Sequence, residues 1–153
     1  MASSRKDVRV ALGAAMKTDL EGVGKPAQTV YDHLPAVFKA SPVLCVASSG
    51  TKTNRMGIGQ TNKAKNIFRF ELMIFQVTPT ETNGWNAEDA QDAQDDLEKA
   101  VRDWVVTHQT DANWKNLRFA DNEGEFTEIV PVKLGGDEYE LETIVVEVEA
   151  YDT

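Results

Sequence analysis

Residues 66–79 read NIFRFELMIFQVTP, and the spacing of their apolar side chains leaves little choice of backbone. Phe68, Phe70, Leu72 and Ile74 alternate with Ile67, Arg69, Glu71, Met73, Phe75 and Val77, the period of two that belongs to a β-strand. The first set is wholly apolar and has to be covered. The second is mixed rather than polar, so the opposite side of the same strand also carries apolar surface.

The flanking segments supply the rest of a sheet and two helices. Ser3 or Ser4 can cap a first helix running to about Leu20, with Val8, Leu12, Ala15 and Met16 as its buried stripe, before Gly22, Gly24 and Pro26 stop it. QTVYDHLP is a short extended piece with a turn around Pro35. SPVLCVASSG supplies a strand over Val43 to Ala47 whose continuous apolar run suits burial on both faces. After the 66–79 strand, Asn86 can cap a second helix, in which Ala90, Ala93, Leu97, Ala100, Val101, Trp104 and Val105 form one stripe. Glu88, Asp89 and Asp92 lie near its positive end, where the helix dipole favours them. THQTDANWKNLRFADNEG reads as an irregular connection anchored by Trp114 and Leu117. EFTEIVPVKL and YELETIVVEVEAY then form a hairpin through Gly135 and Gly136, with Ile144, Val146, Val148 and Ala150 alternating against Thr143, Val145, Glu147, Glu149 and Tyr151.

The expected order is helix, three strands, helix, two strands. It predicts an α+β fold: a mixed, mainly antiparallel sheet of about five strands with two helices packed on one face, in a single domain spanning residues 1–153. Two helices can cover only one side of such a sheet, since each has a single apolar stripe. The other side, with Met73, Phe75, Val77, Val145 and Tyr151 among charges, is closed either by a neighbouring subunit or by connecting segments, Trp114 included.

Residue chemistry narrows the function classes. Cys45 is the only cysteine, which excludes an intrachain disulfide and multi-cysteine zinc sites, and it stands among Pro42, Val43, Leu44 and Val46 as a buried, inert thiol. His33 follows Asp32, but neighbours on an extended chain point to opposite faces. His108 ends the second helix, where an imidazole suits the terminal carbonyls. The serines of ASSG lack the glycine two positions ahead that a nucleophile elbow needs, and DNEGEF lacks the register of a calcium loop. Carboxylates are abundant, so no pair stands out. The expectation is a chain that is not an enzyme and binds no cofactor or metal. MASSRKDVRV followed by ALGAAMKTDL is broken by Lys17 and Asp19 before a signal-length apolar core develops, and no stretch has the length to cross a bilayer, which predicts an intracellular, membrane-free protein when made.

Charge is unevenly placed. The chain carries a net −9, yet residues 50–65, GTKTNRMGIGQTNKAK, hold Lys52, Arg55, Lys63 and Lys65 and no acid, leaving −13 elsewhere. Gly57 and Gly59 form only a fragment of a dinucleotide fingerprint, and no phosphate-loop ending is present. A single-strand-binding loop would interleave aromatics with the charge, and this one has none. What remains is a solvated loop or a docking arm that meets the acidic body of an identical subunit.

The N-terminal helix, the strand entered through SPVLCVASSG, the variable polar loop, FRFELMIFQV, the tryptophan-led acidic helix WNAEDAQDAQDDLEKAV and the terminal hairpin together resemble the tail terminator proteins of long-tailed phages, over roughly residues 5–151. The resemblance rests on element order and texture. It implies a minor tail protein of the virion, made in the host cytoplasm and placed at the head-proximal end of the tail. Such proteins form hexameric rings that cap the tail tube, end its polymerisation and join it to the head connector. The implied partners are further copies of the chain, the tail tube protein, a connector or neck protein, and DNA passing through the lumen without specific binding. Other neck and tail-completion connectors share related small folds. On this footing the expected subunit or partner interface comprises Lys52, Arg55, Lys63, Lys65, Met73, Phe75 and Val145, and the expected lumen-facing acids are Glu147 and Glu149. A nucleic-acid-binding module using the basic loop is the reading from another class.

Overall fold

The computed structural model describes residues 4–55, 64–120 and 127–151. Ser4 opens helix α1 (Arg5–Leu20) through a reciprocal capping box: its hydroxyl accepts from the Asp7 N–H at 3.0 Å, and the Asp7 carboxylate accepts from the Ser4 N–H at 3.4 Å. Asn86 opens α2 (Ala87–Thr107) by accepting from the Asp89 N–H at 2.8 Å. Both helices therefore begin where side-chain oxygens satisfy backbone donors that have no partner within the helix.

The strands are β1 (Thr29–Tyr31), β2 (Val43–Arg55), β3 (Ala64–Val77), β4 (Lys115–Phe119), β5 (Ile129–Leu134) and β6 (Asp137–Tyr151). They form one mixed sheet in the order β1-β2-β3-β6-β4, with β5 also pairing β6. The β1/β2 pair is parallel and all other pairs are antiparallel. Together with the two helices this is an α+β fold. β4 is an addition to the expected five strands. Its sequence concealed it because a register shift between Lys115 and Arg118 breaks the alternation, and Asn116 takes a left-handed φ of 53°.

Register explains the layering. On β3, Phe68, Phe70, Leu72 and Ile74 share a face with Ile144, Val146 and Val148 of β6 and with Leu44 and Val46 of β2. α1 lays Val8, Leu12, Met16 and Leu20 on this face, and α2 adds Leu97, Val101, Trp104 and Val105, all buried. Trp114 joins this helix-side core, where its indole donates to the His108 carbonyl at 2.8 Å. It does not fold over the opposite face as one alternative held.

A second, smaller core occupies that opposite face. Phe38, Val43, Cys45, Phe75 and Tyr139 are buried there, flanked by Tyr31, Met73, Val77, Val132, Leu134 and Leu141. The parallel β1/β2 pairing accounts for it. A connection between parallel neighbours has to return along the sheet rather than turn back on itself, so residues 32–42 cross over a face. Phe38 rides on that crossover and packs on Phe75 at a ring separation of 4.7 Å and edge-on to Tyr139 at 5.2 Å. The hairpin turn at Gly135 (φ +61°) supports the crossover from below, since a Cβ there would stand 2.5 Å from a Val37 methyl.

The described ends of the basic segment are strand rather than loop. Residues up to Arg55 belong to β2, and Ala64 and Lys65 begin β3, with Lys52 paired to Ile67 and Asn54 to Lys65. Thr51 and Thr53 suit strand backbone, and a register shift between Ser48 and Gly50 lets the pairing continue. The described part of this segment, residues 50–55 and 64–65, is therefore strand, and β3 from Lys65 onward also pairs β6. Lys63 lies outside the described residues.

Candidate interaction surface

Strand periodicity places the odd-numbered residues of β3 and β6 on the face away from the helices. Beyond the second core, that face is crossed by two rows of paired positions. Lys52, Ile67, Glu149 and Lys115 form one row across β2, β3, β6 and β4, and Gly50, Arg69, Glu147 and Arg118 form the next. A groove of about 370 Å³ lies over Ser49, Gly50, Thr51, Lys52, Ile67, Arg69 and Glu147.

The two glutamates expected to face a lumen do lie on the helix-free face, but they are not bare. Glu147 meets Arg69 at 2.8 Å and Arg118 at 3.4 Å; Glu149 meets Lys65 at 2.7 Å and Arg118 at 3.5 Å. Their side chains are 14% and 11% exposed, whereas Arg69, Arg118 and Lys65 are 52%, 32% and 30% exposed. The carboxylates are sunk and the cations cover them. Among the described residues of this face, Lys52, Lys65, Arg69, Lys115 and Arg118 stand against Glu71, Glu147 and Glu149, five cations to three acids, a local +2 within a chain of −9. Sequence reasoning assigned this face an acidic character because it paired Glu147 and Glu149 with nothing. The register that sets Arg69 and Arg118 beside them comes from strand pairing between distant segments.

The other expected interface residues separate. Lys52 is exposed on β2, and Lys65 holds Glu149. Arg55 ends β2. Met73 and Val145 are half-buried on the helix-free face. Phe75 is 2% exposed beneath Phe38 and Tyr139, so it is covered by the chain itself and offers no surface to a partner in this form.

The groups that could carry chemistry are dispersed. Asp32 and His33 do meet, Oδ1 to Nδ1 at 2.8 Å, contrary to the expectation from an extended backbone, because residues 32–33 form a bend after β1. Both are substantially exposed, beside a groove lined by Val10, Gly13, Ala14, Lys17, Val30 and Tyr31, which adds no serine, threonine or cysteine nucleophile. His108 caps α2: its ring stacks on Trp104 at 4.2 Å, its Nδ1 lies 2.9 Å from the Trp104 carbonyl, and Asp19 accepts from the Trp104 indole at 2.7 Å. These contacts tie the end of α2 to α1. Cys45 is fully buried, and desolvation pushes its thiol from an ordinary 9.0 up to about 12. Among the described residues no cluster of three or more His, Cys, Asp or Glu side chains is arranged to hold a metal ion, and no helix is long and apolar enough to cross a membrane. Compared with known proteins, the sequence matches no family model and no curated protein.

Proposed function

We propose that this chain is a structural virion protein that forms a ring, of six copies by the resemblance, at the head-proximal end of a phage tail. There it caps the tail tube, ends its polymerisation and joins the tail to the head connector, while DNA passes without specific binding. No catalytic role or cofactor enters this reading.

The observation that carries it is the layout: an N-terminal helix, a strand-rich middle with polar outer ends on β2 and β3, an acidic second helix and a closing hairpin, with both helices on one face of a mainly antiparallel sheet. That is the layout on which the likeness to tail terminators rests. An exposed greasy sheet face is not part of the support, because Phe38 and Tyr139 already cover Phe75. Oppositely charged surfaces offer a route to self-association, and the overall −9 opposes adhesion of phosphate in a lumen.

Electron microscopy of the purified protein, alone and mixed with tail tubes, tests this reading. Rings seated on tube ends are expected, together with abnormal tail lengths when the protein is altered. A protein that stays monomeric and ignores tubes would overturn it. Rings found at the neck but not on the tube would favour another connector. The outward cations of the sheet face favour the nucleic-acid reading, and it forecasts steeply salt-dependent oligonucleotide binding that disappears when Lys52, Arg55, Lys63 and Lys65 are neutralised.

A further inference from the structure

We infer that the helix-free sheet face around Lys52, Arg69 and Arg118 is the receiving surface for α2 of a second copy of the chain, in a head-to-tail contact. The inference deepens the self-assembly reading above and moves the docking element from the tip of the basic arm to the sheet itself.

Two surfaces of opposite sign carry it. The receiving face has its cations outermost and its glutamates sunk beneath them, for a local +2. The donor surface is the first half of α2, where Glu88, Asp89, Asp92, Asp95, Asp96 and Glu98 occur with no basic residue before Lys99, and the first five are exposed. The helix dipole favours only the acids of the first turn. Asp92, Asp95 and Asp96 lie beyond it at three- and four-residue spacings, where like charges repel and weaken the helix. Only two basic residues of α2 form ion pairs along it, Lys99 with Asp103 and Arg102 with Glu98, both near its later half.

Geometry prevents one copy from satisfying itself. α2 packs on the helix side of the sheet through Leu97, Val101, Trp104 and Val105, and the cations project from the other side. Each molecule thus presents a negative helix on one side and a positive sheet on the reverse, so the complementary contact joins unlike surfaces and propagates around a ring or along a filament. The dimensions agree. From β2 to β4 the cation rows cross three interstrand spacings, about 14 Å, and the acidic segment Glu88–Glu98 rises about 15 Å along its axis. Gly50 and Ile67 floor the groove between Lys52 and Arg69, leaving room for side chains of a helix laid across the rows.

Sedimentation velocity across a concentration series at low and high salt, on wild type and charge variants, tests the contact. Asp92→Lys, Asp95→Lys and Asp96→Lys together should weaken association roughly tenfold or more while relieving repulsion within α2. Lys52→Glu with Arg69→Glu should weaken it similarly, and Lys52→Gln with Arg69→Gln provides a milder pair should the reversal disturb the sheet; circular dichroism and unfolding midpoints report on the fold. Combining the two reversed sets should restore association. Association indifferent to either set, failure of the combined variant to recover, or a monomer at every concentration and salt would overturn the inference. So would an oligonucleotide that binds wild type at low salt and loses Lys52→Glu/Arg69→Glu while self-association persists, since the face would then be a nucleic-acid surface. Charge-swappable association without affinity for tail tubes would sink the tail reading and leave this contact standing. Rings on tubes that ignore these charges would do the reverse.

Discussion

Cys45 shows how position overrides residue type. A cysteine in a strand could be a nucleophile, but here it is buried in the smaller core with Phe38, Val43, Phe75 and Tyr139. Its thiol is pushed up to about 12, so the folded protein holds the proton more tightly than the unfolded chain does. Its stability contribution is complete below about pH 9 and is lost as pH rises toward 12. Alkaline unfolding should therefore show a decline of up to about 4 kcal/mol over that window, which Cys45→Ala reduces. Burial likewise raises Tyr139, with the neighbouring Asp137 charge adding to it, so a smaller decline of the same sign persists in the variant. The burial of Cys45 was legible in its PVLCV setting. The Asp32–His33 contact was not, because it depends on a bend and not on sequence adjacency.

Among the elements, α1, α2 and the β5–β6 hairpin could be read from local signals: capping side chains, apolar stripes at helical spacing, and paired glycines between alternating strands. β4 and the length of β2 could not: β4 gains its hydrogen bonds from β6, about thirty residues on, and the added stretch of β2 is polar and carries no apolar alternation, its order coming from pairing with β3. Gly13 illustrates a second kind of hidden constraint. Inside an exposed helix, glycine to alanine is usually stabilising by about 1 kcal/mol. In α1, however, a Cβ at Gly13 would stand 2.6 Å from the Asp32 Cβ and 3.0 Å from its Cα, so the segment leaving β1 would have to move. Gly13→Ala should therefore destabilise by roughly 1–3 kcal/mol despite the better helix former, measured as a lowered midpoint in denaturant unfolding. An unchanged or raised midpoint would show that the α1–β1 crossing is slack. At the sheet edge, Pro131 and Lys133 on β5 are the residue types that discourage a further strand from pairing.

For the molecule as a whole, both apolar cores of the sheet are covered by the chain itself, the larger under two helices and the smaller under a single crossover. Phe38 is the principal plug of the latter. Phe38→Ala should cost about 3–5 kcal/mol and, in native buffer, should make Cys45 accessible to a thiol reagent that does not label wild type. Full protection of Cys45 in a folded variant would mean that Tyr139 and Leu141 close this face unaided. This layering also bears on association: the aromatics of the smaller core are not available to a partner, and the two oppositely charged surfaces lie back to back.

From the residues alone came the two helices, the strand character of FRFELMIFQV and of the closing hairpin, the α+β class and the contrast between an acidic chain and a basic stretch, because caps, turns and periodicity are encoded within a few positions. Tertiary structure decided that β1 runs parallel to β2, that the resulting crossover closes the second face, and that Arg69 and Arg118 cover Glu147. Those outcomes follow from which distant strands share hydrogen bonds, and a one-residue change of register would send every one of these side chains to the other side of the sheet.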